Sequence, residues 1–221
     1  RSGEGSLDTM RMTGWLRYLA ILVTGLNLIL FLALWSEPIG ARNPFRETQT
    51  ALSIYWLWNG GPFWAYETPL FGYPWSIPFE FPLYQWLVAQ VSHFTSLDIE
   101  PVARLLSVLF FGGTLAFGAA TLRRVFASYN PTAITFAFVV VSCAMVVNLY
   151  WIHQVSIETL ATLFGAAWLY FVAEAVLSER VAFIPLALFS GVLGALVKSP
   201  TMVPYFILGT ILVVSRIYLL V

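Results

Sequence analysis

Residues 36–81 read SEPIGARNPFRETQTALSIYWLWNGGPFWAYETPLFGYPWSIPFEF and lie between strongly apolar segments. This stretch contains four acidic residues, two arginines and six prolines. The apolar segments on either side suit a lipid environment, whereas polar side chains such as these need water or a partner. The stretch therefore predicts a membrane protein whose polar chemistry is assembled in a loop at one membrane face. Its tryptophans predict an aromatic belt at the interface.

The composition is that of an integral membrane protein. Hydrophobic residues make up 59% of the chain and charged residues 10%, whereas soluble domains carry about 25% charged residues. A net charge of zero argues against a nucleic-acid-binding protein, which needs a basic face. Cys143 is the only cysteine, which argues against a disulfide framework or a thiolate metal cluster. Charged residues are rare within the apolar runs, which disfavours a transporter or channel.

Apolar runs of about 20 residues can cross a hydrocarbon core of about 30 Å. Two shorter segments, 45–58 and 82–94, predict interfacial helices that lie along the headgroups. We predict an all-α, multi-pass protein of one domain over 1–221, with a long first outer loop at 36–101. Because the sequence stops within an apolar run, we expect it to be the front part of a longer chain. The six predicted spans are 15–35, 102–122, 132–151, 157–177, 181–197 and 202–221.

The distribution of Lys and Arg predicts the orientation. If segment 82–94 does not cross, six arginines lie on the amino-terminal side, and the positive-inside rule predicts a cytoplasmic N-terminus. The loop at 36–81, the junction at 153–158 and the turn at 198–200 then share the outer face. The six arginines are Arg11, Arg17, Arg123, Arg124, Arg180 and Arg216, whereas Arg42, Arg46, Arg104 and Lys198 lie on the other side.

Two charged residues on this outer face are candidates for function. An ionised carboxylate at the membrane edge, as at Glu158, is costly unless it is paired or faces water. Lys198 is the only lysine in the chain. Structural alternatives remain open for both residues. Ser156 could cap the start of a helix, and the helix dipole would then favour the negative charge of Glu158 in the first turn. Lys198 could lay its aliphatic stem along apolar surface and keep only its ammonium in water.

Several segments resemble those of the C-type (GT-C) membrane glycosyltransferases. RETQTA at 46–51 resembles the family's segment after the first transmembrane helix, which carries Asp-Glu followed by an alanine. PFEFPLYQWLVA at 78–89 resembles their KPPL-x-x-W-L-x-A segment, and ALVKSP at 195–200 is similar to T-K-G-P. Arg104 and IETL at 157–160 follow in the same order. The resemblance covers nearly the whole chain as an amino-terminal transmembrane module, and it is closest to the branch of protein O-mannosyltransferases and the lipid A aminoarabinose transferase.

The resemblance implies inverting transfer of a sugar from a polyprenyl-phosphate donor to an acceptor hydroxyl of a glycan, lipid or protein. It also implies a bacterial inner membrane, with an endoplasmic reticulum membrane of the same topology as the alternative. If the resemblance holds, Glu47 is the first candidate for the base that takes the proton of the acceptor hydroxyl, and Glu158 is the second. The candidates for contacts with the lipid phosphate are Arg46, Arg104 and Lys198. A divalent metal held by His153 with the two carboxylates is a further possibility. Some tryptophans of the loop could stack on the sugar in place of forming the aromatic belt.

Two positions depart from the family pattern. Arg46 stands where the family has its catalytic Asp, and Glu80 where the family has the phosphate-contacting Lys. The exchange could preserve an ion pair with swapped partners, change the substrate, or abolish activity. The alternative function is therefore a non-catalytic membrane subunit that keeps the scaffold and binds a lipid or a partner protein.

Structural roles remain open for the other candidates as well. Glu47 could pair with Arg42 or Arg46 within the loop. Arg104 could pair with the acidic residues just before it. His153 could serve as a hydrogen-bonding residue at the interface.

Overall fold

The computed structural model describes residues 2–35, 37–39, 44–65 and 80–218. Within these ranges the chain is helical and contains no strand, which confirms the all-α prediction. The loop segments 40–43, with Arg42, and 66–79 lie outside the described residues. The helices are α1 (Ser2–Ala33), α2 (Pro44–Trp58), α3 (Leu83–Thr95), α4 (Ile99–Val125), α5 (Pro131–Ala144), α6 (Val146–Ile152), α7 (Glu158–Leu177) and α8 (Ile184–Tyr218), with 3-10 turns at Phe63–Ala65 and Val181–Phe183.

Several of these helices are long and apolar enough to cross a membrane. Among the described residues there are four such helices, and the bent pair α5–α6 makes a fifth candidate. A multi-pass membrane protein is therefore supported, and the count of six spans remains a prediction. The four are Met12–Ala33, Ile99–Val125, Glu158–Leu177 and Val181–Tyr218.

The chain reverses direction within α8. Lys198 has an extended conformation, with φ −161° and ψ 92°. The indole of Trp168 on α7 lies against both Gly191 and Gly209. In an unbroken helix these two glycines would be about 27 Å apart at about 1.5 Å per residue, too far for one indole to reach. The two halves of α8 therefore fold back beside α7, as the predicted turn at 198–200 requires.

The predicted span 132–151 is wrong as a single helix. The helix breaks at Met145, and α5 and α6 are bent by 71° relative to each other. Asn27 of α1 donates to the carbonyl of Cys143 at 3.2 Å, and Asn148 donates to a second carbonyl in the last turn of α5 at 2.8 Å. These side chains satisfy carbonyls that the break leaves without helical donors.

The two predicted interfacial segments form helices, α2 and α3, as expected. They pack on each other and on α4, while α7 packs against both α4 and α8, and α1 packs against α5. Both short helices contribute to the buried core, so they cover one end of the bundle and contact it closely. Buried residues of this core include Ile54, Leu57, Tyr84, Val88, Val102, Ala161 and Val197.

A separate charged group occupies the opposite end of α7. Arg124 lies 3.0 Å from the carboxylate of Glu174, and Ser178 donates to the same carboxylate at 3.0 Å. Glu174 lies 16 residues after Glu158, or about 24 Å along the helix. This separation approaches the thickness of a hydrocarbon core, about 30 Å. The two charged ends therefore lie where a spanning helix would reach each membrane surface.

Candidate functional site

Four charged side chains from four separate segments meet at one end of the bundle, and we name Arg46, Glu80, Glu158 and Lys198 the ion-pair cluster. The ammonium of Lys198 contacts Oε1 of Glu158 and lies 3.7 Å from Oε1 of Glu80. Nη1 of Arg46 lies 3.7 Å from the same Glu80 oxygen. The charges thus alternate along the cluster. The predicted convergence of the loop, the junction before α7 and the turn at 198–200 is confirmed.

Pro200 helps to place Glu80 beside Lys198. In a helix the carbonyl of Leu196 would accept from the backbone N–H four residues later, but proline has no N–H. The backbone N–H of Phe81 donates to this carbonyl instead, at 3.3 Å. The bond attaches the segment before α3 to the turn in α8. It therefore holds Glu80 within reach of the Lys198 ammonium.

The carboxylate of Glu158 is held by two groups. The hydroxyl of Ser156 donates to Oε2, while Oε1 contacts the Lys198 ammonium. The Ser156 hydroxyl also accepts from the backbone N–H of Glu158 at 3.3 Å, as expected for a residue that caps the helix start. Side-chain exposure is 17% for Glu158 and 13% for Lys198. Because water is mostly excluded, their attraction exceeds that of an exposed pair.

Glu80 has an altered pKa. Burial raises the pKa of this carboxyl most strongly, the Lys198 ammonium lowers it, and the nearby Glu158 carboxylate raises it again. The net effect is a pKa above the ordinary glutamate value of about 4.3. Glu80 shares the ammonium of Lys198 with Glu158, so this cation only partly offsets the cost of burying a charged Glu80. Glu80 therefore takes up a proton at a higher pH than an ordinary glutamate does.

Glu47, the first predicted base, is buried beside this region. Both its carboxylate and that of Glu158 act on the hydroxyl of Tyr84, a fully buried residue of α3. Burial is the main cause of the raised pKa of Tyr84, and the two carboxylates add to it. The two candidate bases, Glu47 and Glu158, therefore lie near one buried hydroxyl, on the same side of the bundle.

The sequence did not predict a layer of buried, hydrogen-bonded polar side chains next to the cluster. The Tyr84 hydroxyl donates to the carbonyl of Ala103 and lies 3.1 Å from Oγ of Ser107. Ser107 in turn contacts the carbonyl of Gln154 at 3.2 Å. These bonds connect α3, α4 and the segment before α7. The available signal was a serine in an apolar run, which is common in spanning helices and therefore weak.

Arg104 lies apart from the cluster. Its buried guanidinium donates to the carbonyls of Leu34 and Trp35 at 2.9 Å each, and also to the carbonyl of Glu37. These carbonyls follow the end of α1, where helical donors are missing. The structure thus gives Arg104 a capping role, in place of the phosphate contact or acidic partner that the sequence suggested.

His153 also points away from the cluster. It lines an apolar cavity of about 230 Å³ between α1, α4 and the α5–α6 break, with the ring of Phe31 centred 6.5 Å away. Across the described part of the chain, no three His, Cys, Asp or Glu side chains lie close enough to hold a metal ion. The suggested metal site of His153, Glu47 and Glu158 is therefore wrong, because His153 lies at this cavity whereas the two carboxylates lie near the Tyr84 hydroxyl.

The two positions that depart from the glycosyltransferase pattern contact each other. Arg46 and Glu80 form the 3.7 Å ion pair of the cluster. The structure shows that the two residues are paired, and the consequence of the exchange for substrate and activity stays a prediction.

Comparisons of the chain with protein-family models, with curated proteins and with solved structures found no match in any of the three. The resemblance to C-type membrane glycosyltransferases therefore stays a prediction made from the sequence. What the geometry adds is an ion-pair cluster at one end of an apolar helix bundle, in which Glu80, Glu158 and Lys198 are largely buried and Arg46 is half exposed.

Proposed function

We propose that this chain is the transmembrane module of a glycosyltransferase that moves a sugar from a polyprenyl-phosphate donor to an acceptor hydroxyl, with inversion. The ion-pair cluster is the observation that carries the proposal. Charged groups at the end of an apolar bundle suit a substrate with a lipid tail and a charged, polar head. The sequence resemblance selects sugar transfer among reactions of such substrates.

The proposed reaction needs a base. The acceptor oxygen attacks the anomeric carbon, and the bond from that carbon to the phosphate oxygen breaks with its electron pair leaving on the phosphate. The acceptor proton passes to a carboxylate, a step that contributes about 10²–10⁴-fold in enzymes. Glu47 is the first candidate, and Glu158 is the second. The contacts of Glu158 with Ser156 and Lys198 keep that carboxylate oriented.

The departing phosphate needs cations. Lys198 and Arg46 are the proposed contacts, since fixed positive groups stabilise charge that develops on a leaving group. In the structure both cations contact carboxylates, so the phosphate must displace Glu80 or Glu158 as their partner. Protonation of Glu80, whose pKa is raised, releases one of these contacts.

A non-catalytic membrane subunit is the second candidate function. The observation in its favour is that the cations of the cluster are already neutralised by carboxylates of the same chain. Such a cluster could hold the turn in α8 and the loop together without any substrate. In that case the protein binds a lipid or a partner protein through the same scaffold.

The activity test uses purified protein in proteoliposomes that contain polyprenyl-phosphate hexoses or aminosugars together with glycan, lipid or peptide acceptors, with acceptor-dependent release of polyprenyl phosphate as the readout. We expect Glu47→Gln or Glu158→Gln to reduce transfer at least 100-fold. Glu179→Gln is the matched control, because Glu179 is 78% exposed at the opposite end. Transfer that is unchanged in both site variants would remove the catalytic proposal. Loss of a co-purifying partner without loss of transfer would favour the subunit.

We also propose a bacterial inner membrane with the N-terminus in the cytoplasm, on the basis of the Lys and Arg distribution. Single cysteines at Ser199 and Glu179, in a Cys143→Ser background, test the orientation. A membrane-impermeant maleimide should label position 199 from outside intact cells and position 179 only after permeabilisation. The reverse pattern would contradict the proposed orientation.

A further inference from the structure

A second cavity, with charged and aromatic walls, lies where the ends of α2 and α3 meet the start of α4. Its volume is about 380 Å³, and its walls include Tyr55, Trp58, His93, Asp98 and Glu100. Small-molecule sites typically measure about 300–1,000 Å³. The cavity therefore has room for a small polar ligand.

This cavity has a fixed aromatic wall. The rings of Trp58 and His93 are stacked, with centroids 5.5 Å apart, and Tyr55 lies 6.4 Å from Trp58. His93 Nε2 donates to the carbonyl of Trp58 at 3.0 Å. Gly60, with φ +86°, closes α2 just after Trp58 in a left-handed turn. Trp58 nevertheless keeps 37% of its surface exposed, so a positioned ring surface is available to a ligand.

Hydrogen-bonding groups surround this aromatic wall. Asp98 stands at the N-cap position of α4 but makes no capping hydrogen bond with its side chain. Its carboxylate and that of Glu100 can accept hydrogen bonds from a ligand. The first backbone N–H groups of α4 have no acceptor within the helix and can donate. An aromatic face with acceptors and donors around it matches a sugar ring, which has an apolar C–H face and hydroxyls at its edge.

The charge of the cavity argues against anionic and hydrocarbon ligands. The carboxylates of Asp98 and Glu100 would repel a phosphate or another anion. A hydrocarbon chain would remove both carboxylates from water without offering a hydrogen bond, at a high cost in free energy. A neutral polyhydroxy compound avoids both penalties.

A neighbouring cavity extends the site. It has a volume of about 330 Å³, includes Trp35 and Glu37, and shares Asp98 and Glu100 with the first cavity. We name the two cavities together the α4 groove, and we propose that the α4 groove binds a neutral oligosaccharide. The shared carboxylates lie between two sugar-sized spaces, and each space has a tryptophan in or beside it.

The α4 groove is distinct from the ion-pair cluster. Both lie along α2, with Arg46 near its start and Trp58 at its end, a separation of about 18 Å at about 1.5 Å per residue. The inference therefore stands whether or not the protein transfers sugars. If transfer occurs, the groove would hold a saccharide acceptor or its continuation.

The test uses the full chain in phosphatidylcholine nanodiscs and three neutral probes, namely mannotriose, maltotriose and cellotriose. Saturation-transfer difference NMR should show saturable binding of at least one trisaccharide. Trp58→Ala and Asp98→Ala should each weaken that binding at least tenfold. Because Asp98 makes no capping bond, its substitution should leave the melting temperature almost unchanged. Trp64→Ala is the matched control, since Trp64 is exposed and lies outside the groove.

Absence of binding for all three trisaccharides would overturn the inference, as would binding that neither Trp58→Ala nor Asp98→Ala weakens. Saturable binding of phosphatidylethanolamine that Trp58→Ala removes, with no trisaccharide signal, would replace the saccharide by a lipid headgroup. Glu179→Gln, at the opposite end of the bundle, should bind the trisaccharide normally. Normal binding combined with no transfer by the unaltered protein would therefore refute the proposed function and leave this inference intact.

Discussion

Removal of the Lys198 ammonium tests the ion-pair cluster most directly. We expect Lys198→Met to destabilise the protein strongly, because it leaves the carboxylates of Glu158 and Glu80 near each other without their shared cation. We expect Glu158→Gln to destabilise it less, since Lys198 then keeps Glu80. The double variant should lose less stability than the sum of the two single losses.

The magnitude follows from burial. The side chains of Lys198, Glu158 and Glu80 are 13%, 17% and 18% exposed. Removal of one partner of a buried pair costs about 3–5 kcal/mol, and the residual exposure reduces this to about 2–4 kcal/mol for Lys198→Met. In the double variant Glu80 still has Arg46 at 3.7 Å. We therefore expect a coupling energy of about 1–3 kcal/mol between Lys198 and Glu158.

Thermal unfolding of the purified protein in detergent provides the assay. At about 2–4 °C per kcal/mol for a chain of this size, Lys198→Met should lower Tm by about 4–16 °C. The matched control is Lys198→Met combined with Glu174→Gln at the opposite end, whose effects should add within about 0.5 kcal/mol. Additive effects of Lys198→Met and Glu158→Gln would refute the cluster as described.

Three further outcomes are expected. Arg104→Met should destabilise the protein by about 3–5 kcal/mol, because several carbonyls near the end of α1 lose a charged donor, and thermal unfolding should show much of this loss recovered in Arg104→Lys. Gly209→Ala should cost about 1–3 kcal/mol in unfolding experiments, since its methyl group would overlap the Trp168 indole, and Trp168→Leu should relieve the cost. Burial raises the pKa of Glu80, so its contribution to stability is present below the unfolded-state pKa of about 4.3 and is lost as pH rises through the folded-state pKa. Tm measured from pH 4 upward should therefore fall less for Glu80→Gln than for the unaltered protein, and parallel curves would contradict the burial of Glu80.

The helical architecture could be predicted in large part from local features. Apolar runs place most helices, and Asn130 followed by Pro131 marks the start of α5, where the Asn130 side chain accepts from two backbone N–H groups. The turn at 198–200 was also predictable, because proline disfavours helical conformation in the residue before it and removes a donor. These features act within a few residues of chain.

The break between α5 and α6 had no comparable local signal. No proline or glycine lies next to Met145 in the sequence. One of the side chains that stabilise the broken helix end, Asn27, comes from α1. Similarly, Arg104 caps a helix end that is about 70 residues away in sequence. Such partners are chosen by packing, which composition and hydropathy do not encode.

The candidate site divides in the same way. The sequence by itself determined a multi-pass helical chain, its polar first loop, and the identity of the charges at 46, 80, 158 and 198, because hydropathy and charge are properties of single residues and short runs. Only the tertiary structure decided which charges meet. It joined Glu80 to Lys198 through the Phe81–Leu196 backbone bond and kept Arg104 and His153 apart from them. The physical reason is that an ion pair depends on distances of a few ångströms, and these distances exist only once distant helices have packed.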